Sequence, residues 1–417
     1  MPNLRRLSPT GLLLALLLPG CTSAPDSGPT ATFRDSAGVT IVENQGEVPS
    51  GGGGWLVGPE PVLSIGTFEG DTLYQLYRVQ GAARLSSGVI AVVNSGSGQI
   101  RTFDESGVFL GSVGRKGEGP GEFESPALAG VLGADTLVVV DFQLRRISLV
   151  HAERGFLKDD RITDEVGGGG FPQGMFQDRS LVLGGGFFWS SDGGAELSDG
   201  YSRRSTSYRS CSLGGELVTD FGEFPGSEFY MRVRNEGGGV IMSASLIPFG
   251  KYSISAVGPR HLFIGSGDSH EIEVRDPSGD LVRVIRWNRA LVPVTEADLA
   301  AYVEERAAEA VDENAARTIR QNLAEMPVPD HMPAFAGLSA DALGYLWVEN
   351  YDGPGDEPPS YDIFDPEGRM VGRATLPEGM EILEIGEDHL LALFRDELEV
   401  EYVRLYYLQR PEGTAVP

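Results

Sequence analysis

Apolar positions in this chain come in short bursts divided by turn residues, and residues 81–126 show the pattern most clearly. Val89, Ile90, Ala91, Val92 and Val93 form a near-continuous apolar run, as expected of a strand buried on both faces. Ser86-Ser87-Gly88 punctuates its start and Asn94-Ser95-Gly96-Ser97-Gly98 its end, with residues that favour turns. Gln99 to Phe103 then alternates polar and apolar, which suits a half-exposed strand. Asp104-Glu105-Ser106-Gly107 has turn chemistry, because Asp bonds the backbone ahead of it and Gly accepts a positive φ. Val108, Phe109, Leu110 and Val113 begin the next strand.

The phrase recurs down the chain. Its turn between third and fourth strands returns at 151–155, 212–215, 276–279 and 365–368, and second strands precede these at Leu137–Val140, Leu181–Leu183, His261–Ile264 and Tyr345–Val348. A sixth set, His389–Phe394 and Glu401–Leu408, ends the chain without a fourth strand of its own. Antiparallel units of roughly 40 residues are the size of propeller blades. The pattern therefore predicts an all-β chain, a six-bladed β-propeller over residues 37–410. Strand material within 38–66 is expected to complete the last blade beside 390–408, since an unclosed ring leaves exposed edges. Residues 290–333 break the pattern between blades four and five. Thr295 is placed to cap a helix with acids in its first turn, and Leu299, Tyr302, Val303 and Ala307 recur at helical spacing. A second helix is predicted from Ala315 to Met326, ended by Pro327. This helical insertion covers one rim, or acts as a lid over the central channel.

The Gly-rich stretch Gly114–Phe123 with Ser125-Pro126, and the loop Val140–Ile147, resemble the linkers and loops of NHL-type β-propellers. From about residue 37 to about residue 410 the chain resembles the six-bladed β-propeller lipoproteins of bacteria. That family is largely unassigned in function, so the resemblance implies an architecture and an address rather than a reaction.

The address is written at the N-terminus. Arg5-Arg6, the apolar run Leu12–Leu18 and Pro19-Gly20-Cys21 match a lipoprotein signal over residues 1–20. The run is much shorter than the ~20 residues of a membrane span. Cys21 is the expected lipidation site, carrying more than one acyl chain for firm anchoring. Thr22 in place of Asp resembles outer-membrane sorting, so the expected location is the cell envelope, at the outer membrane facing periplasm or cell surface. Residues 21–36 read as a flexible tether and 411–417 as a tail.

Charge and cysteine content narrow the partners. The net charge is −27, and loss of Arg5 and Arg6 with the signal makes it more negative. Nucleic acid is excluded, because phosphate binding needs clustered Lys and Arg. With Cys21 acylated, Cys211 stands alone and no internal disulfide can form; it is expected to be a buried thiol. A monomer is expected, attached to the membrane only through its lipid.

No catalytic motif is evident. The five histidines, His151, His261, His270, His331 and His389, lack paired ligand spacing such as HExxH. No GxSxG elbow occurs. The Gly runs at 51–54, 167–170 and 237–239 lack the context of a phosphate cradle. No metal site and no cofactor are predicted; calcium is the one ion that the acidic loop Asp352, Asp356, Glu357 and Asp362 suggests. The candidate binding residues follow from propeller geometry, in which loops from every blade converge at the channel mouth: Tyr77, Arg78, Asn94, Asp141, Arg145, Asp268, Asn350 and Arg395. Asn94, Asp141 and Asp268 also suit Asx-type bonds that shape their own loops. The expected function is a binding module for an envelope protein, peptide or glycan. The alternative is a metal-dependent hydrolase or lyase of the propeller type, with its site at the channel.

Overall fold

A computed structural model describes residues 30–46, 48, 52–167, 170–184, 199–236, 239–355, 358–411 and 414. The signal, Cys21 and most of the tail lie outside the described residues. The described chain opens with β1 (Thr30–Ser36), β2 (Val39–Gln45), β3 (Leu56–Val57) and β4 (Leu63–Ile65). A first meander follows: β5 (Val79–Arg84), β6 (Ile90–Asn94), β7 (Gln99–Phe103) and β8 (Phe109–Val113). The second is β9 (Pro126–Leu132), β10 (Thr136–Asp141), β11 (Arg146–His151) and β12 (Gly155–Arg161). The third has β13 (Phe171–Met175), β14 (Leu181–Gly184), β15 (Gly200–Cys211), β16 (Leu217–Glu236) and β17 (Gly239–Leu246). The fourth has β18 (Ile254–Val257), β19 (Leu262–Gly265), β20 (Glu271–Arg275) and β21 (Leu281–Trp287), after which come helices α1 (Glu296–Ala308) and α2 (Glu313–Ala324). The fifth has β22 (Gly337–Ala340), β23 (Leu346–Glu349), β24 (Ser360–Phe364) and β25 (Met370–Thr375), and the sixth β26 (Met380–Ile385), β27 (His389–Arg395) and β28 (Glu401–Gln409).

The packing between these sheets is cyclic. The first strands of the meanders, β5, β9, β13, β18, β22 and β26, touch one another in that order, and β26 returns to β5. The apolar core is divided the same way. Ala91, Val93 and Ile100 of the first sheet pack with Leu137 and Val139 of the second. Val138 and Val140 turn the other way, onto Leu181, Leu183 and Cys211 of the third. Further shared cores join the third sheet to the fourth, the fourth to the fifth and the fifth to the sixth. The cycle ends where Ile90, Val92 and Phe103 of the first sheet meet Leu391, Leu393 and Val403 of the sixth. Successive strand residues face opposite neighbours, which is why second strands carry unbroken apolar runs such as Ile90–Val93 and Leu137–Val140. This is a β-propeller-like arrangement. Cys211 is fully buried, and burial pushes its thiol up to about 12.

The repeated turns share one device. A carboxylate oxygen of Asp104 accepts from the amides of Ser106 and Val108, Asp276 from those of Ser278 and Asp280, and Asp365 from those of Glu367 and Arg369. Gly107, Gly279 and Gly368 supply the positive φ that ends each turn.

Two N-terminal expectations are corrected. Residues 30–36, read as tether, form β1 and pair along their whole length with β2. Only the second half of 38–66 joins the last sheet: β4 pairs with β28 through Ile65↔Val403 and Leu63↔Leu405, and β3 pairs with the end of β28. β2 instead lies parallel to β21, from Thr40↔Arg283 to Asn44↔Trp287. Its alternation is served equally well by any sheet edge, and the bonds of Asn44 select this one. The buried Asn44 amide donates to the carbonyls of Arg286 and Gly368, and its oxygen accepts from the amide of Met370.

The helices lie between the fourth and fifth sheets in the chain. Thr295 caps α1 in a reciprocal box: its hydroxyl accepts from the Asp298 amide, and the Asp298 carboxylate accepts from the Thr295 amide at 2.9 Å. α2 begins at Glu313, ahead of the expected Ala315, because Asp312 caps it by accepting from the Ala315 amide at 2.8 Å. The third sheet differs most from its sequence reading. β16 runs for 20 residues and outlasts its pairing with β15, continuing alongside β17. Arg232 on this arm pairs with Asn322 and Glu325 of the helical segment, and the Tyr302 ring meets Phe249 at 5.2 Å. Arm and helices therefore brace each other.

Candidate functional site

Residues of the six innermost strands line an open cavity of about 1240 Å³ at the centre of the cycle. Each strand contributes small or apolar side chains, among them Ala82, Leu128, Met175, Val257, Leu338 and Ile382. Close approach of neighbouring strands explains the small residues. A Cβ on Gly81 would come within 2.6 Å of Leu128, one on Gly130 within 2.9 Å of Met175, and one on Gly174 within 2.8 Å of Val257. Gly81 and Gly174 also stand at register shifts with φ of +119° and +150°, where bulges bend the inner strands.

The polar side chains in this wall are largely engaged. Ser255 donates to Gln173 at 2.8 Å, and the Gln173 amide donates to the carbonyls of Phe171 and Gly184, tying the third and fourth sheets. Glu384 accepts from the Arg84 amide at 2.8 Å, joining the sixth sheet to the first. Behind it, His389 lies 3.5 Å from Glu384 and 3.0 Å from Asp388. Burial disfavours the His389 imidazolium, but the two carboxylates outweigh it and hold its pKa above the usual value. His261 and Arg283 stand at the edge of the cavity, and burial together with Arg283 holds His261 below its usual value.

The cavity draws on the later part of each innermost strand and on the turns that follow at 176–177, 258–261 and 341–345; this is the trailing end. The eight sequence candidates lie at the leading end, where the innermost strands start, and none of them lines the cavity. Asn94 is buried and accepts from the Tyr77 amide at 2.7 Å. Asp141 is fully buried and accepts from the amides of Glu124, Ser125 and Leu144. Arg145 pairs with Asp164, and Asp268 takes both arms of Arg203 at 2.9 and 2.7 Å. Asn350 binds Arg289 and Ser360, and Arg395 reaches Glu381 and Glu401. Tyr77 is exposed, with the Arg78 guanidinium over its ring at 5.6 Å.

A second polar group lies between the fourth and fifth sheets, centred on Asp362, which belongs to β24 rather than to the acidic loop suggested for calcium and is taken up by arginines. Asp362 is fully buried and held by Arg289 at 2.6 Å and Arg373 at 2.7 Å. His270 nearby packs on Trp287, and burial, followed by the charge of Arg289, pushes its pKa down to about 4. Among the described residues no three His, Cys, Asp or Glu side chains gather as a metal site. Asp356 and Glu357 of the acidic loop lie outside the described residues. Among the described residues no helix is long and apolar enough to cross a membrane.

The cavity wall was hidden from sequence reading because small residues and bulges remove the apolar alternation that marks a strand. Glu384, Gln173 and Met175 carry no local signal of an axial position.

No protein-family model and no curated protein matches this chain. Solved structures do resemble it. A Bacteroides fragilis protein inferred to be exported is 13% identical, with a TM-score of 0.46, over 92% of this chain and 96% of that one. A member of the DUF4221 family from Bacteroides vulgatus is 11% identical, with a TM-score of 0.48, over 86% of this chain and 98% of that one. Virginiamycin B lyase from Staphylococcus aureus is 11% identical, with a TM-score of 0.37, over 80% of each chain. The propeller-like arrangement rests on strand order and shared cores rather than on these likenesses.

Proposed function

We propose that this chain is a six-bladed β-propeller lipoprotein with a helical insertion over residues 290–333, anchored in the envelope through Cys21, that binds a protein, peptide or glycan segment in its axial cavity. The cavity carries the reading. All six innermost strands contribute to its wall, and its volume exceeds the about 300–1,000 Å³ of common ligand sites. The wall combines small and apolar side chains with polar ones such as Gln173, Ser255 and Glu384, a mixture in which the polar groups can fix a ligand's orientation. Six meanders with six shared cores support the blade count. The lipobox and the acidic charge support an envelope address without nucleic acid.

The test uses the full lipidated chain in its own envelope. A photo-crosslinking residue at Ser339, on the cavity wall, is compared with one on an outer strand, and Ser339→Trp serves as a cavity-filling variant. A discrete adduct from Ser339 that an excess of folded parent protein competes away, and an equal excess of folded Ser339→Trp does not, supports the reading. Equal labelling from the outer strand, or none above background, overturns it.

A further inference from the structure

We propose that the leading end carries a docking surface for a basic amphipathic segment of a partner protein, formed by Phe68, Leu73, Tyr77 and Leu398 and separate from the axial cavity. These side chains are 58%, 39%, 62% and 69% exposed. They come from two stretches that the fold joins, the loop 66–78 and the β27–β28 turn. Leu76 bridges to Glu401, next to the pairing of β4 with β28.

The loop is rigidly built although its apolar side chains face water. The guanidinium of Arg101, a residue only 7% exposed, donates to the carbonyls of Thr72, Leu73 and Gln75 at 3.1, 3.0 and 2.7 Å. Gln75 donates to the Phe68 carbonyl at 3.1 Å, and the Asp71 carboxylate accepts from the Leu73 amide at 3.0 Å. On the other side, Asp396 accepts from the amides of Leu398 and Val400. A buried arginine spent on three loop carbonyls presents Phe68, Leu73 and Tyr77 in fixed positions. Exposed apolar groups held on adjoining segments are candidates for an interaction site, and preorganisation lowers the entropic cost of binding.

Charge selects the occupant. Exposed Glu69, Asp71, Glu397 and Glu399 flank Phe68, Leu73 and Leu398 along the chain. The cations at hand are engaged, Arg78 over Tyr77 and Arg395 with Glu381 and Glu401. An acidic rim around an apolar centre complements a segment with Leu-type and Lys-type faces. The same rim repels anionic lipid headgroups and a second copy of this acidic chain.

The experiment titrates the folded protein with a synthetic amphipathic helical peptide of Leu and Lys. Controls are the same peptide with Glu for Lys, phosphatidylcholine vesicles, and sedimentation of the protein alone. Binding of the Lys peptide that weakens with salt is expected. Phe68→Ser with Leu398→Ser should weaken it about tenfold, a typical loss for central interface residues, with an unchanged melting curve. Glu397→Gln with Glu399→Gln should flatten the salt dependence. Equal binding of the two peptides, full binding by the Phe68/Leu398 variant, or association with vesicles or with itself through this face overturns the proposal.

Discussion

His389 stands where the sixth sheet meets the first, facing Glu384, Asp388 and, through Asp388, the Arg84 side chain at 3.4 Å. Its raised pKa means that the folded state holds the proton more tightly than the unfolded chain, whose value is near 6.5. The resulting stabilisation is fully present below that value and is lost as pH rises through the folded pKa. His270 runs the other way. Held near 4, it resists protonation while the unfolded chain takes up protons from about 6.5 downward, so acidification between those values weakens the fold. Melting temperature should therefore decline on both sides of neutrality. His389→Gln should flatten the alkaline limb and His270→Asn the limb between pH 6.5 and 4; unchanged limbs in either variant would contradict the assignment. At this scale the sequence could identify turn-forming Asp, because its bonds are local, as at Asp104 and Asp276. It could not pair His389 with Glu384 across a strand or Asp362 with Arg289, because those meetings depend on register.

The elements divide by how local their causes are. α1 was legible from Thr295 and the acids behind it, since a capping box is complete within four residues. Second strands were legible because burial on both faces leaves an unbroken apolar run. Innermost strands were not, because the close approach of neighbouring innermost strands favours glycine and alanine. Gly130 shows the cost of that packing. A valine there would overlap the Met175 side chain, whose Cβ lies 3.0 Å from the built Cβ. Gly130→Val should destabilise the protein by about 1–3 kcal/mol, the usual range for overpacking, as measured by urea unfolding. Met175→Ala in the same chain should recover part of the loss. If Gly130→Val unfolds like the parent, neighbouring innermost strands do not pack as described.

At the scale of the molecule, the cycle is closed by a strand from the opposite end of the chain. Ile65 of β4 is buried with Leu391, Leu393 and Val403, and on that side, among the described residues, β28 pairs with β3 and β4 and otherwise makes a single bridge from Glu401 to Leu76. A chain beginning at Phe68 should leave β28 as an apolar edge. It should melt well below the full chain and bind a hydrophobic dye, and a peptide covering residues 55–67 should restore part of the melting temperature. Equal melting of the two chains would show that closure contributes nothing.

The sequence by itself determined the apolar second strands, the repeated Asp–Gly turns and the helical break, since each follows from neighbouring residues. The tertiary structure decided the rest. Which edge β2 would take, how far β16 would run, what faces the axis and which polar groups meet there all depend on contacts between residues hundreds of positions apart. Alternating apolar residues state that a strand has a buried face; they do not state against which sheet it is buried.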